Sequence, residues 1–267
     1  MIGWQEMDRA TLDAAYANAD HIAGSDAFPP RWRAEAAAFR EATRADLDLA
    51  YADRPGATLD LFHPEGPARG LTVFLHGGYW RSFGKSDWSH LASGAVTLGQ
   101  AVAVVGYPLA PQVRIGEITR LVARAVDHAA ARVSGPIHLT GHSAGGHLAA
   151  RMVMADAAPA CAHRIASCVP ISPLSDLRPL TALGMNDDWR LDAAEATAES
   201  PALGHPMPGP RLAVHVGAAE RPSFLWQSEV LARAWGIPLR RVPGRHHFDV
   251  IDALTDPRSD LLADLLG

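Results

Sequence analysis

The sequence predicts an α/β fold, a mostly parallel central sheet with helices on both faces. Three observations carry this. Short continuous apolar runs recur along the chain, as strands buried on both faces require. Amphipathic helical stretches alternate with them, the crossover pattern of a parallel sheet. The chain has 267 residues, of which 48% are hydrophobic and 20% charged, enough for one large domain with a sizeable core.

The elements follow in order. Residues 1–45 read as a helical lead-in to a single domain spanning 1–267, with helical spacing in ATLDAAYANAD and RWRAEAAAFREATR and a loop at GSDAFPP. LDLAY (47–51) and ATLDLFHP (57–64) alternate as strands around the turn ADRPG. LTVFLHGG (71–78) is an apolar run ending in glycines, and AVAVVGY (101–107) is a second, with helical spacing at 87–98 between them. A long amphipathic helix (114–133) leads to the strand PIHLTG (136–141), a helix (144–156) and the strand IASCVPIS (165–172). RLAVHVGA (211–218), a helix at 222–236, PLRRVPG (238–244) and FDVIDAL (248–254) close the series. Residues 173–210 break the rhythm. A connection that long inside a domain reads as a lid or binding excursion.

Bulk properties narrow the partners. Net charge is −5 with no basic block, which argues against nucleic acid. No apolar stretch is long enough for a membrane span, and MIGWQEMDRATLD lacks the apolar core of a signal peptide. A cytoplasmic setting is expected. Cys161 and Cys168 form no CxxC pair, and the 13 histidines are scattered without HExxH, so neither metal nor cofactor is expected. The expected partner is a small-molecule substrate, and a homodimer is the candidate assembly.

The chemistry is concentrated around LTGHSAGGHL (139–148). Strand, Gly141-His142-Ser143-Ala144-Gly145, then helix, matches the nucleophile elbow G-x-S-x-G. Side chains at Gly141 and Gly145 would clash in so sharp a turn. Ser143 stands at its apex, and the Ala144 amide points where an oxyanion would form. His76-Gly77-Gly78 follows the preceding apolar strand, the place for a second oxyanion donor. A base belongs near the C-terminus, where His247 directly precedes an apolar stretch and His246 is the runner-up. For the acid, Glu220 ends a strong strand, Asp176 follows another, and Asp249 is too near His247 in sequence to reach back to its ring.

Taken together, HGGYW (76–80), GHSAGGHL (141–148), GAAERPSFLWQS (217–228) and HHFDVIDAL (246–254) resemble the kynurenine formamidase (arylformamidase) branch of the α/β-hydrolases. The resemblance runs from about Leu47 to Leu254. It implies an α/β-hydrolase fold, Ser143 as nucleophile, His247 as base, Glu220 as acid, and oxyanion donors at Gly77, Gly78 and Ala144. The family's acid is more often Asp, so Glu220 departs from the pattern. No cofactor is implied.

The expected activity is cleavage of an aryl formamide such as N-formylkynurenine through a formyl-enzyme intermediate. A carboxylesterase and a non-catalytic binding protein are the alternatives. Tyr79 and Trp80, with Phe83 and Trp88, are expected to form an aromatic wall for the substrate, covered by Met185 and Trp189 of the excursion.

Overall fold

A computed structural model describes residues 3–267; residues 1 and 2 of the expected lead-in lie outside the described residues. The lead-in forms α1 (Arg9–Tyr16) and α2 (Phe28–Ala42). Asp8 starts α1 by accepting from the Thr11 amide at 2.8 Å. GSDAFPP is a loop only in part. Ser25–Ala27 form a 3-10 turn, and Pro29 and Pro30 sit in the first turn of α2, where a missing N–H costs no helix bond.

The sheet comprises β1 (Ala45–Ala50), β2 (Thr58–Phe62), β3 (Leu71–Leu75), β4 (Ala101–Val105), β5 (Ile137–His142), β6 (Ile165–Ile171), β7 (Arg211–Leu212), β8 (Val214–Gly217) and β9 (Leu239–Val242). Their order is β1-β2-β4-β3-β5-β6-β8-β9, with β7 beside β6. The β1–β2 and β2–β4 pairs are antiparallel, and the others are parallel.

Period-two alternation divides the core between the two faces. Leu71, Val73 and Leu75 of β3, Ala101, Ala103 and Val105 of β4, and Ile137 and Leu139 of β5 point to one side. There they meet α4 (Ile115–Ala130) and α5 (Ala144–Arg151), while α3 (Ser93–Thr97) belongs to the opposite side. Ile115, Ile118, Val122, Ala125, Val126 and Ala129 place one stripe of α4 in that core. Phe74, Val102 and Val104 point the other way, toward Trp32 of α2 and Ala95 of α3. Burying each such Val, Leu or Phe contributes about 1.5–3 kcal/mol, which is why these strands read as unbroken apolar runs.

Residues 173–210 are structured, with α6 (Asn186–Trp189) and α7 (Ala193–Ala198) between 3-10 turns. Glu195 accepts from the Gly116 amide at 3.0 Å and Glu199 from Thr119 at 2.7 Å, so this segment is docked on α4. The chain ends in α8 (Pro222–Trp235), β9, a 3-10 stretch at Val250–Thr255, and α9 (Asp260–Leu266).

Three details depart from expectation. The run 211–218 is two strands interrupted at Ala213. The helix expected at 87–98 is mostly 3-10 turns, with α3 as its only α-helical part. Helix α9 was not expected at all, although Ser259 caps it and Leu261, Leu262 and Leu265 fill the second core.

Candidate active site

Strand β5 ends at His142, and α5 begins at Ala144, so Ser143 alone makes the turn. It adopts φ 57 and ψ −118, a conformation unfavourable for a residue with a Cβ. The turn is tight enough that a Cβ on Gly145 would overlap the Leu75 carbonyl oxygen, and one on Gly141 the Gly145 carbonyl. Only glycine fits at either place. Ser143 does not cap the helix it precedes, and it lines a cavity of about 910 Å³ that His247 also lines.

His247 and Glu220 come together across two loops. His247 Nδ1 is 2.7 Å from Glu220 Oε2, and both residues are buried. The other carboxylate oxygen accepts from the Gly217 amide at 2.9 Å and from the Ser172 hydroxyl. These contacts fix the buried carboxylate with one oxygen aimed at the imidazole. Phe224 of α8 packs against His247 with ring centroids 4.2 Å apart. The other candidates are engaged elsewhere. Asp176 pairs with Arg178 at 2.7 Å, Asp249 accepts from the His246 amide, and His246 sits edge-on to Phe28.

Gly77 and Gly78 lie directly opposite the elbow. A Cβ on Gly77 would stand 3.0 Å from the His142 carbonyl, and Gly78 has φ 108. Among the described residues, the amides of Gly77, Gly78 and Ala144 enter no backbone hydrogen bond, and Gly77 and Gly78 line the cavity. Tyr79, Trp80 and Phe83 also have positive φ, as does Ser172 beneath Glu220. Strained backbone therefore clusters on both sides of Ser143. His76 anchors the loop from below by stacking on Tyr107, and burial pushes its pKa down to about 4.

The cavity wall differs from the expected one. Tyr79, Phe83 and Trp88 line it, but Trp80 does not. Trp80 is fully buried because its indole fills a core site, packed edge-on against His147 and Trp189. Trp189 also stays out of the cavity and donates to the Tyr79 carbonyl at 2.7 Å, whereas Met185 lines it.

Several wall residues escaped sequence reasoning. Tyr16, Asn18 and Trp32 come from the lead-in, and Phe248 follows the base. His142 lines the cavity beside His247, and burial holds its pKa well below the ordinary imidazole value. Gln227 ties the wall together. It accepts from the Ser175 and Asp176 amides, each at 2.7 Å, and donates to the Tyr16 hydroxyl at 2.9 Å. Tyr79 in turn donates to the Tyr16 carbonyl at 2.7 Å. The sequence signal for this network was Gln227 in the PSFLWQS helix start, but nothing local pointed to Tyr16. Among the described residues, no group of three or more His, Cys, Asp or Glu is arranged to hold a metal ion, and no helix is long and apolar enough to cross a membrane.

Comparison with known proteins agrees with this architecture. A family model described as the alpha/beta hydrolase fold matches residues 72–202. Kynurenine formamidase from Danio rerio is 27% identical over 100% of this chain and 99% of its own length. The Salmo salar protein of the same name is 27% identical over 96% of this chain and 95% of its own. A crystal structure from Silicibacter sp. TM1040, provisionally described as a thioesterase, is 49% identical with a TM-score of 0.94, covering 96% of this chain and 99% of that one. With its mostly parallel sheet, its strained serine turn and these matches, the chain has the α/β-hydrolase fold and is similar over nearly its whole length to the kynurenine formamidases.

Proposed function

We propose that this chain is a serine hydrolase that cleaves an aryl formamide such as N-formylkynurenine. The observation that carries the reading is the buried Glu220–His247 pair, which lines with Ser143 one cavity walled by Tyr16, Trp32, Tyr79 and Trp88. Two full-length relatives named kynurenine formamidase support the substrate class.

Glu220 fixes the tautomer in which His247 carries its proton on Nδ1, leaving Nε2 as the base. Ser143 Oγ attacks the formyl carbon as Nε2 takes its proton. The carbonyl oxygen becomes an oxyanion held by the amides of Gly77, Gly78 and Ala144. As the C–N bond breaks, the imidazolium gives its proton to the departing aryl amine, leaving a formyl ester on Ser143. His247 then deprotonates a water that attacks this ester, and formate leaves as Ser143 regains its proton.

A second reading has its own support. The relative with 49% identity is described provisionally as a thioesterase, and the same machinery would release a thiol in place of an amine. The test is hydrolysis of N-formylkynurenine, a short-chain aryl ester and an acyl thioester by wild type and Ser143→Ala. Ser143-dependent preference for the formamide upholds the first reading. Preference for the thioester transfers the same catalytic residues to the second, and turnover unaffected by Ser143→Ala removes both.

A further inference from the structure

His76 and Tyr107 follow the ends of two adjacent parallel strands, β3 and β4, which pair Leu75 with Val105. That register brings their side chains together. Both are buried, and their rings stack with centroids 4.3 Å apart and planes within 7°. The Tyr107 hydroxyl lies 2.7 Å from the His76 carbonyl oxygen, and His76 Nδ1 lies 2.7 Å from the Gly77 carbonyl oxygen. The catalytic steps proposed above use neither side chain.

A carbonyl oxygen can only accept, so the direction of both bonds is fixed. Tyr107 donates its hydroxyl proton to the His76 carbonyl, and burial raises the phenol pKa, which keeps that proton in place. His76 carries its proton on Nδ1 and donates it to the Gly77 carbonyl. Burial holds the ring neutral, with a pKa of about 4, so Nε2 is bare. Consistent with this, Nε2 is buried and has no partner among the described residues.

Both peptides are trans, and a trans peptide is planar with its N–H pointing opposite to its C=O. The peptide that ends in the His76 carbonyl carries the N–H of Gly77. The peptide that ends in the Gly77 carbonyl carries the N–H of Gly78. Holding the two carbonyls therefore aims the two amides the other way. Gly77 and Gly78 line the cavity, and a Cβ on Gly77 would stand 3.2 Å from the Cβ of Ser143. Glycine backbone is the freest to rotate, so this pair has the most to gain from being held. We propose that Tyr107, through the His76 carbonyl, and His76, through the Gly77 carbonyl, are positioning residues that aim the Gly77 and Gly78 amides at the oxyanion formed on Ser143. This rests on the hydrolase reading above and deepens it, because it places the control of the oxyanion site on a side chain from the neighbouring strand.

The test is Tyr107→Phe, which removes one O–H and keeps the stacked ring. The substrate is p-nitrophenyl acetate. Phenyl trifluoromethyl ketone reports on the oxyanion, because Ser143 adds to its carbonyl, and acetophenone reports on the cavity alone. Acylation and deacylation both pass through an oxyanion, so kcat should fall by about 10- to 100-fold with KM changed by less than about twofold. Affinity for the trifluoromethyl ketone should fall by a similar factor, while affinity for acetophenone stays at its wild-type value. His76→Asn keeps an N–H the same number of bonds from the backbone, and should retain more of kcat than His76→Leu. An unchanged kcat in Tyr107→Phe, or an equal loss of affinity for both ketones, overturns the positioning role. A merely structural role would lower the melting temperature and leave the ratio of the two ketone affinities unchanged, which also overturns it. If wild-type turnover does not depend on Ser143, the hydrolase reading itself falls and the positioning role with it. That result is distinct from Ser143-dependent turnover that Tyr107→Phe leaves intact.

Discussion

Glu220 and His247 are 27 residues apart in sequence and 2.7 Å apart in space, with the glutamate side chain sealed from solvent. The same carboxylate is tied to Gly217 and Ser172, so its position is not free to adjust. Replacing it with Gln keeps the shape but lets the amide present a donor to Nδ1, which selects the wrong tautomer. Glu220→Gln should therefore lower kcat by about 10³- to 10⁴-fold with little change in KM. Glu220→Asp keeps the charge but draws it back by one methylene, for a loss of roughly 100-fold. Steady-state kinetics on whichever substrate is turned over fastest checks both. A kcat within tenfold of wild type in Glu220→Gln removes the acid role.

Tyr79 and Trp80 are neighbours with opposite surroundings, and truncation should separate them. Trp80→Ala empties a fully buried site and should cost about 3–5 kcal/mol of stability in chemical denaturation. Tyr79→Ala removes a cavity wall, so its principal signature should be a raised KM. A raised KM with unchanged stability in Trp80→Ala would return that tryptophan to the cavity.

The elbow should tolerate no Cβ at Gly145. Gly145→Ala would drive a methyl into backbone at Leu75, and backbone has no rotamer by which to escape. The expected result is a loss of more than about 3 kcal/mol, or failure to accumulate as soluble protein. The control is Gly204→Ala, which meets only the flexible end of Met154 and should be mild. Equal melting temperatures for wild type and Gly145→Ala would mean that the turn is looser than its geometry indicates.

Buried histidines make stability depend on pH in a defined window. His76 and His147 are buried, and desolvation lowers their pKa values to about 4 and about 3. The unfolded chain binds a proton at each below about pH 6.5, while the folded chain stays neutral there. Their contribution is therefore fully present above pH 6.5 and is lost as pH falls toward 4, by roughly 3 kcal/mol for His76 alone. Only the upper part of this window, above about pH 5, lies clear of the range in which ordinary carboxylates titrate. Urea midpoints between pH 7.5 and 4.5 should fall steadily, and His147→Gln should flatten the slope. A constant midpoint across that range contradicts the neutral buried state.

Much of the fold was legible because its signals are local. Unbroken apolar runs mark β3, β4 and β5, since strands covered on both faces have no polar side to show. The stripe on α4 and the glycines around Ser143 follow from geometry within a few residues. Element boundaries were less legible where short 3-10 turns replaced a helix, as at Ser89–Ala92, because their stability comes from packing more than from spacing.

By itself the sequence determined the alternation of strand and helix, the order in which serine, acid and histidine appear, and the two turns where glycine is obligatory. Each is a consequence of backbone sterics or of periodicity over a few residues. Only the tertiary structure decided that Glu220 and not Asp176 meets His247, that Tyr79 faces the cavity while Trp80 faces the core, and that Asn18 from the lead-in reaches the site of Ser143. Those outcomes depend on contacts between segments tens to hundreds of residues apart. Such contacts are set by how helices and loops settle on a common sheet, and no local pattern records them.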